Sequence, residues 1–246
     1  MEVNNYFLFP TVVGHTKHEV SMNEKIDMID LYMMQCDEDG RSHDLLGFER
    51  LQKRTEFQAY IMPKLKLALQ EYFKCLKIHP DKLEVQVTKA FFNVTDQASI
   101  NVHDHAENHL SFTYYPIVAE GKERNLILHD VKDCHANEPY QGWFYHHLLE
   151  WTEVNCRNYS FPVSEGVMFL FPSKMQHEIE LREGDIPHKG HQKVDGSETE
   201  SVGFKFPTDL WKTRFCVAGD LLFTKKPEVQ KYHRTLSHPC NWRPVL

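Results

Sequence analysis

LEVQVTKAFFNV, residues 83–94, is where the chain changes its period. Leu83, Val85 and Val87 alternate with Glu84, Gln86 and Thr88, the period-two pattern of a half-buried strand. Further segments rich in Val, Ile, Phe and Tyr follow around 99–105, 110–118, 125–130, 158–163, 166–171, 176–182 and 201–206, divided by Gly, Pro, Asn and Asp. Short strands punctuated by turn residues predict an antiparallel sandwich or jelly roll.

Upstream the period is helical. MNEKIDMIDLYMMQ (22–35) sets Met22, Ile26, Ile29 and Met33 on one face, with Ser21 as candidate N-cap. TEFQAYIMPKLKLALQEYFKCLKI (55–78) does the same with Ile61, Leu65, Leu69, Tyr72 and Leu76. Both stripes are expected to face the core. Pro63 must kink the second helix or sit in its first turn. LREGDIPHKGHQKVDGSETE (181–200) reads as a polar loop insert, and residues 208–246 as an extension laid over the fold. Without an internal repeat or a linker, the expectation is one domain over 1–246. It comprises a largely helical support region (1–82), a jelly-roll core (83–207) and a C-terminal extension (208–246).

A chain of 246 residues can bury a large core without staples. A net charge of −7 and a pI near 6.1 argue against a general nucleic-acid or anionic-membrane binder, which needs a basic face. The six cysteines are scattered, with no C-x-x-C pair, and are expected to be reduced in a cytoplasmic setting. MEVNNYFLFPTVVG at the start lacks the basic and apolar regions of a signal peptide, and no apolar run approaches a membrane span.

INVHDHAENHLSFTYY (100–115) gathers His103, His105 and His109 at the mouth of a strand. Residues two apart on a strand share a face, so His103 and His105 point together and Asp104 points oppositely. Two such imidazoles suit a borderline cation such as Fe(II) or Zn(II). A third ligand must come from elsewhere, and the best candidate is His177 in EGVMFLFPSKMQHEIEL (165–181), after a buried strand and a tight turn. The competing reading is chance clustering of structural histidines. His109 reads as a loop or supporting residue, and His129, His135, His146, His147, His188 and His191 show no partner spacing.

FNVTDQASINVHDHAENHLSFTYY (92–115) resembles the signature W-x-N…G-x-x-N-x-H-x-H-P…S-G-x-Y-Y of a family of 2-oxoglutarate-Fe(II) oxygenases. The matching residues are Asn93, Asn101, His103, His105, Ser111, Tyr114 and Tyr115. GVMFLFPSKMQHEIE (166–180) is similar to that family's G-x-L-x-x-F-P-S-x-x-x-H segment through Gly166, Phe171, Pro172, Ser173 and His177, and YFLFPTVV (6–13) to its opening F-P-T. The resemblance implies a double-stranded β-helix holding one Fe(II) on His103, His105 and His177. It also implies 2-oxoglutarate as cosubstrate, and hydroxylation of an unidentified small-molecule or peptide substrate by O2, with succinate and CO2 as co-products.

Position 105 departs from the H-x-D or H-x-E of the wider superfamily and leaves three neutral ligands. Two alternatives stay open: a bulge that brings Asp104 inward, and the register of His105 with Glu107. His79-Pro80-Asp81 is a poor ligand pair because of its proline. For the cosubstrate the resemblance implies Tyr115, Asn101 and a cation. Thr199 stands where the family's arginine aligns. Lys205, sharing a strand face with Ser201 and Gly203, is the candidate cation or else a surface lysine, while Arg182 and Arg214 are less well placed. Phe91, Phe92, Phe112 and Trp143 are candidate cavity linings, or plain core. Rim loops are expected at 181–200 and in DCHANEPYQGWFYHHLLEW (133–151). Two other classes remain: a three-histidine cupin-like metal dioxygenase that does not use 2-oxoglutarate, and a non-catalytic metal-binding jelly-roll module.

Overall fold

The computed structural model describes residues 11–39, 45–46, 50–79, 83–95, 98–99, 102–105, 107–129, 158–180, 186–187, 209–225 and 243–245. Its largest sheet runs β1 (Gly14–Lys17), β8 (Val167–Pro172), β5 (Leu110–Val118), β11 (Arg214–Lys225) and β3 (Leu83–Thr95). Along the free edge of β3 lie β2 (Leu45–Leu46) and β12 (Arg243–Pro244). Every pairing in it is antiparallel. A smaller antiparallel sheet joins β7 (Asn158–Phe161), β6 (Leu126–His129) and β9 (His177–Ile179). Two short strands, β4 (Ala98–Ser99) and β10 (Ile186–Pro187), pair in parallel. An antiparallel bridge joins His103 to His177 of β9. The chain therefore crosses repeatedly between two facing sheets, which makes a double-stranded β-helix.

Two helices, α1 (Met22–Asp39) and α2 (Met62–Leu76), cover the outer face of the large sheet. At the centre of that sheet both faces are buried, so β5 and β8 read as continuous apolar runs rather than as clean alternation. On β8, Met168 and Leu170 join the helix-side core, whereas Val167, Phe169 and Phe171 pack inward with Leu126 and Leu128 of the small sheet.

This parity is broken by two bulges. On β3 the helix-side residues run Val85, Val87, then Ala90, Phe92, Val94. Thr88 is the extra residue, since Lys89 pairs with Asp220 and Val87 with Leu221. On β5 they run Phe112, Tyr114, then Ile117, because Tyr115 and Pro116 stand opposite the single Cys216. A proline sits well at such a bulge, where its missing N–H breaks no regular ladder bond.

Three expectations need correction. Within 208–246, which the sequence reads as an extension laid over the fold, β11 instead lies at the centre of the large sheet, between β5 and β3. Its segment RFCVAGDLLFTK hides its pattern because the inner face carries Arg214, Cys216, Ala218 and Asp220. Of the candidate cavity phenylalanines, Phe91 faces the interior, but Phe92 and Phe112 belong to the helix-side core. The strand expected at 201–206 and Trp143 lie outside the described residues.

The third correction concerns α1, which turns a different face inward. Met28, Leu31, Tyr32, Gln35 and even Glu24 are buried, while Met22 is 60% exposed, Ile26 42% and Met33 43%. A polar knot sets this rotation. Lys64 of α2 donates to both Glu24 carboxylate oxygens (2.5 and 2.6 Å) and to the Tyr114 hydroxyl (2.6 Å), which itself donates to Glu24 at 2.7 Å. Burial, reinforced by the Glu24 carboxylate, pushes the Tyr114 hydroxyl far above its ordinary range. In α2, Leu65, Leu69 and Tyr72 are buried as expected, but Leu76 is 39% exposed. A π-helical turn, Phe57–Ile61, precedes α2, and Pro63 sits in its first turn, where a missing N–H costs little. Among the described residues, no helix is long and apolar enough to cross a membrane, and Cys36, Cys75 and Cys216 are free thiols.

Glu24→Ala would strand the Lys64 ammonium, and we expect it to lower the unfolding free energy in urea by about 3 kcal/mol. The double variant Glu24→Leu/Lys64→Met is expected to recover most of that loss, because no unpaired charge is left behind.

Candidate metal centre

The three histidines singled out in the sequence converge. One ligand nitrogen from each of His103, His105 and His177 lies within 4.8 Å of the others. Ring centroids are 5.3 Å apart for His103 and His105, 4.2 Å for His103 and His177, and 5.1 Å for His105 and His177. Backbone pairing creates this geometry. His103 N–H donates to the His177 carbonyl (3.1 Å) and His177 N–H to that of His103 (2.8 Å), so the two rings start from facing positions. Asp104 is exposed and does not join the cluster, nor does the exposed Glu107.

The Phe-Pro-Ser turn explains its own residues. Ser173 is fully buried, and its carbonyl accepts from His105 N–H at 2.7 Å. Its own N–H donates to the His109 carbonyl (3.1 Å), and its hydroxyl hydrogen-bonds with that of Ser111 (3.1 Å). The turn after β8 thus fixes the segment that carries His105. His109 stands apart and supports the rim: its ring stacks on Phe223, and its Nδ1 accepts from Phe223 N–H at 3.0 Å.

His177 is 7% exposed, and Nδ1–H donates to the Met175 carbonyl at 3.0 Å. Burial first, then the neighbouring His103, pulls its pKa down to about 3. At neutral pH it is an uncharged imidazole with a free lone pair on Nε2. His105 Nδ1 lies 2.6 Å from Asp220 Oδ1, on a fully buried carboxylate. Burial raises the Asp220 pKa, but the His105 hydrogen bond, the His105 charge and the nearby Lys89 outweigh it, so the net shift is downward.

Deeper inside sits a second charged group. Arg214, 1% exposed, lies with Cζ 4.7 Å from the centre of the Tyr115 ring, and its Nη2 donates to the Tyr115 hydroxyl at 3.0 Å. Among the described residues, its Nε and Nη1 have no hydrogen-bond partner. Burial raises the Tyr115 hydroxyl well above its usual range, with Arg214 pulling the other way. Burial likewise pushes the Cys216 thiol up to about 11 against the same cation. Aromatic contacts connect the two centres: His177 packs on Phe171 (4.9 Å), and Phe169, two residues before it, packs on Tyr115 (6.3 Å). Along β11, positions 214 and 220 are about 20 Å apart at roughly 3.3 Å per residue, too far for Arg214 and Asp220 to neutralise each other.

Tyr115 is therefore inside, as expected, but the described cation beside it is Arg214, which the sequence had ranked below Lys205. Lys205, Asn101, Arg182 and Thr199 lie outside the described residues. Asp220 carries no local signal in the sequence, because its strand reads there as part of an overlying tail.

No protein-family profile matches the sequence, and no curated protein matches it. Solved structures share the fold. The non-heme alpha ketoglutarate dependent carbocyclase SnoK from nogalamycin biosynthesis superposes with a TM-score of 0.54, covering 96% of this chain and 92% of that one at 10% identity. The non-heme alpha ketoglutarate dependent epimerase SnoN from the same biosynthesis gives 0.52, covering 96% and 94% at 8% identity. SnoN in complex with Fe3+, alpha ketoglutarate and nogalamycin RO gives 0.53 over the same shares at 10% identity.

The geometry predicts one divalent cation per chain, held by three imidazoles. In Co(II) titrations followed by visible absorption, His103→Ala, His105→Ala and His177→Ala should each abolish stoichiometric binding, while Asp104→Ala should bind like the natural chain.

Proposed function

We propose that this chain is an Fe(II)- and 2-oxoglutarate-dependent oxygenase-type enzyme. One observation carries the reading: a buried guanidinium with two nitrogens unpartnered among the described residues shares an interior with three converging imidazoles. An unmet buried donor costs about 1–3 kcal/mol. A carboxylate arriving from solvent would remove that cost and neutralise the cation. The donor sets fit a divalent ion at one end of the interior and an anion at the other, as a dicarboxylate reaching between them requires.

In this reading His103, His105 and His177 hold the metal. Arg214 and the Tyr115 hydroxyl bind the distal carboxylate of 2-oxoglutarate, and Phe169 and Phe171 keep water from the space between. When bound, Fe(II) with 2-oxoglutarate and O2 supplies oxidative decarboxylation to succinate and CO2, coupled to attack on a substrate C–H bond. Hydroxylation of a small molecule or peptide is the outcome we propose. The names of the neighbours, a carbocyclase and an epimerase, show that this fold also serves other outcomes.

A second reading has an observation of its own. Among the described residues, the cluster holds three imidazoles and no carboxylate ligand, the donor set of a metal dioxygenase that needs no 2-oxoglutarate. Anaerobic addition of 2-oxoglutarate to the Fe(II) protein separates the two. A visible charge-transfer band, and O2 uptake that requires 2-oxoglutarate, support the first reading. O2 uptake without 2-oxoglutarate supports the second, and a reconstituted protein that binds iron but takes up no O2 leaves a binding module.

Arg214→Met is expected to weaken 2-oxoglutarate binding about 100-fold, the roughly 3 kcal/mol of a buried charge pair, while Fe(II) binding persists. The same titration on Lys205→Met decides between the two cations, and we expect it to match the natural chain.

A further inference from the structure

The three imidazoles are not equivalent. His177 leans on a neutral backbone carbonyl, that of Met175, whereas His105 leans on a carboxylate at 2.6 Å. That carboxylate belongs to Asp220, on the inner face of β11 and fully buried. Four side chains converge on it. His105 Nδ1 and the Ser111 hydroxyl (2.6 Å) meet Oδ1, while Lys89 Nζ (2.8 Å) and Asn108 Nδ2 (3.4 Å) meet Oδ2. The bulge at Thr88 lies beside it, and the Thr88 hydroxyl bonds to the Asp220 carbonyl at 3.3 Å and to Asn108 at 2.9 Å.

We infer that Asp220 is the missing carboxylate of the metal centre, placed one imidazole away from the cation. Resting on the metal-binding reading above, the inference assigns Asp220 two tasks as a positioning residue. It holds the proton of His105 on Nδ1, so that Nε2 presents its lone pair to the metal. It also makes His105 a stronger, partly anionic donor than His177, because an anion on the far nitrogen raises the basicity of the near one. A three-histidine set thereby regains part of the negative charge that a direct Asp or Glu ligand would bring. Lys89 contacts the opposite oxygen of the same carboxylate and tempers that charge. Asp220 and Lys89 thus tune the cation affinity in opposite directions.

A purely structural role for Asp220, tying β11 to β3 and β5, predicts something different: removing either charge loosens the same knot, and both variants bind metal more weakly. Co(II) affinity, measured on the full chain by visible titration beside the melting temperature of the metal-free protein, tells them apart. Asp220→Asn is expected to weaken Co(II) binding about 10- to 100-fold, the usual effect of losing a carboxylate behind a histidine ligand. Lys89→Met is expected to tighten it about fivefold, as the carboxylate loses its competing cation. Asp220→Asn binding within about twofold of the natural chain, or Lys89→Met binding no more tightly than it, overturns the inference. Should Asp220→Asn fail to fold, the Lys89→Met titration decides alone. A natural chain that binds no Co(II) defeats the metal reading and this inference together. Binding by the natural chain that Asp220→Asn leaves intact defeats this inference and spares the other.

Discussion

A sheet covered on both faces has nowhere to hide an unpaired polar group, and the large sheet of this protein is covered on both. Helices pack on one side and the small sheet on the other, so β3, β5, β8 and β11 each serve two apolar cores at once. Every charged side chain on its inner face must then find a protein partner or a ligand. Asp220 finds four protein partners. Among the described residues Arg214 finds one hydroxyl, and two of its nitrogens go without. That contrast, within a single strand, separates a carboxylate that is already satisfied from a cation whose pairing among the described residues is incomplete.

The two bulges make this arrangement geometrically possible. A regular pair of strands has fixed parity, and an inner-face position stays inner for its whole length. The extra residue at Thr88 lets β3 keep Val85 and Val87 under the helices at one end and Ala90, Phe92 and Val94 there at the other. The pair Tyr115–Pro116 does the same for β5 next to Arg214. One irregularity stands beside Asp220 and the other beside Arg214, and bulges are known to re-aim side chains in this way.

The sequence carried the fold class and the three histidines clearly, because both rest on local signals. Period-two alternation marked β3, and an H-x-H spacing put two rings on one face. What it concealed was long-range. β11 lost its strand signature to Arg214, Gly219 and Asp220, residues chosen for what they meet across the sheet. Gly219, for instance, has no room for a side chain: a Cβ there would come within 2.6 Å of the Phe112 ring and 2.5 Å of the Lys89 carbonyl. The buried face of α1 is concealed for a related reason. An apolar stripe of Met22, Ile26 and Met33 outweighed a lone Glu24 in any reading by hydrophobicity, but Lys64 and Tyr114 make that glutamate a buried anchor. Its partners lie 40 and 90 positions away.

The central place of β11 also bears on how the molecule comes into being. The link from His105 to Asp220 closes a loop of 115 positions, and that from Tyr115 to Arg214 one of 99. As the polypeptide leaves the ribosome, β3 and β5 are made long before the strand that must slot between them. Until it arrives, each presents a bare edge to the other and to any passing chain. Such late, non-local closure makes for slow folding and a window in which chaperones matter.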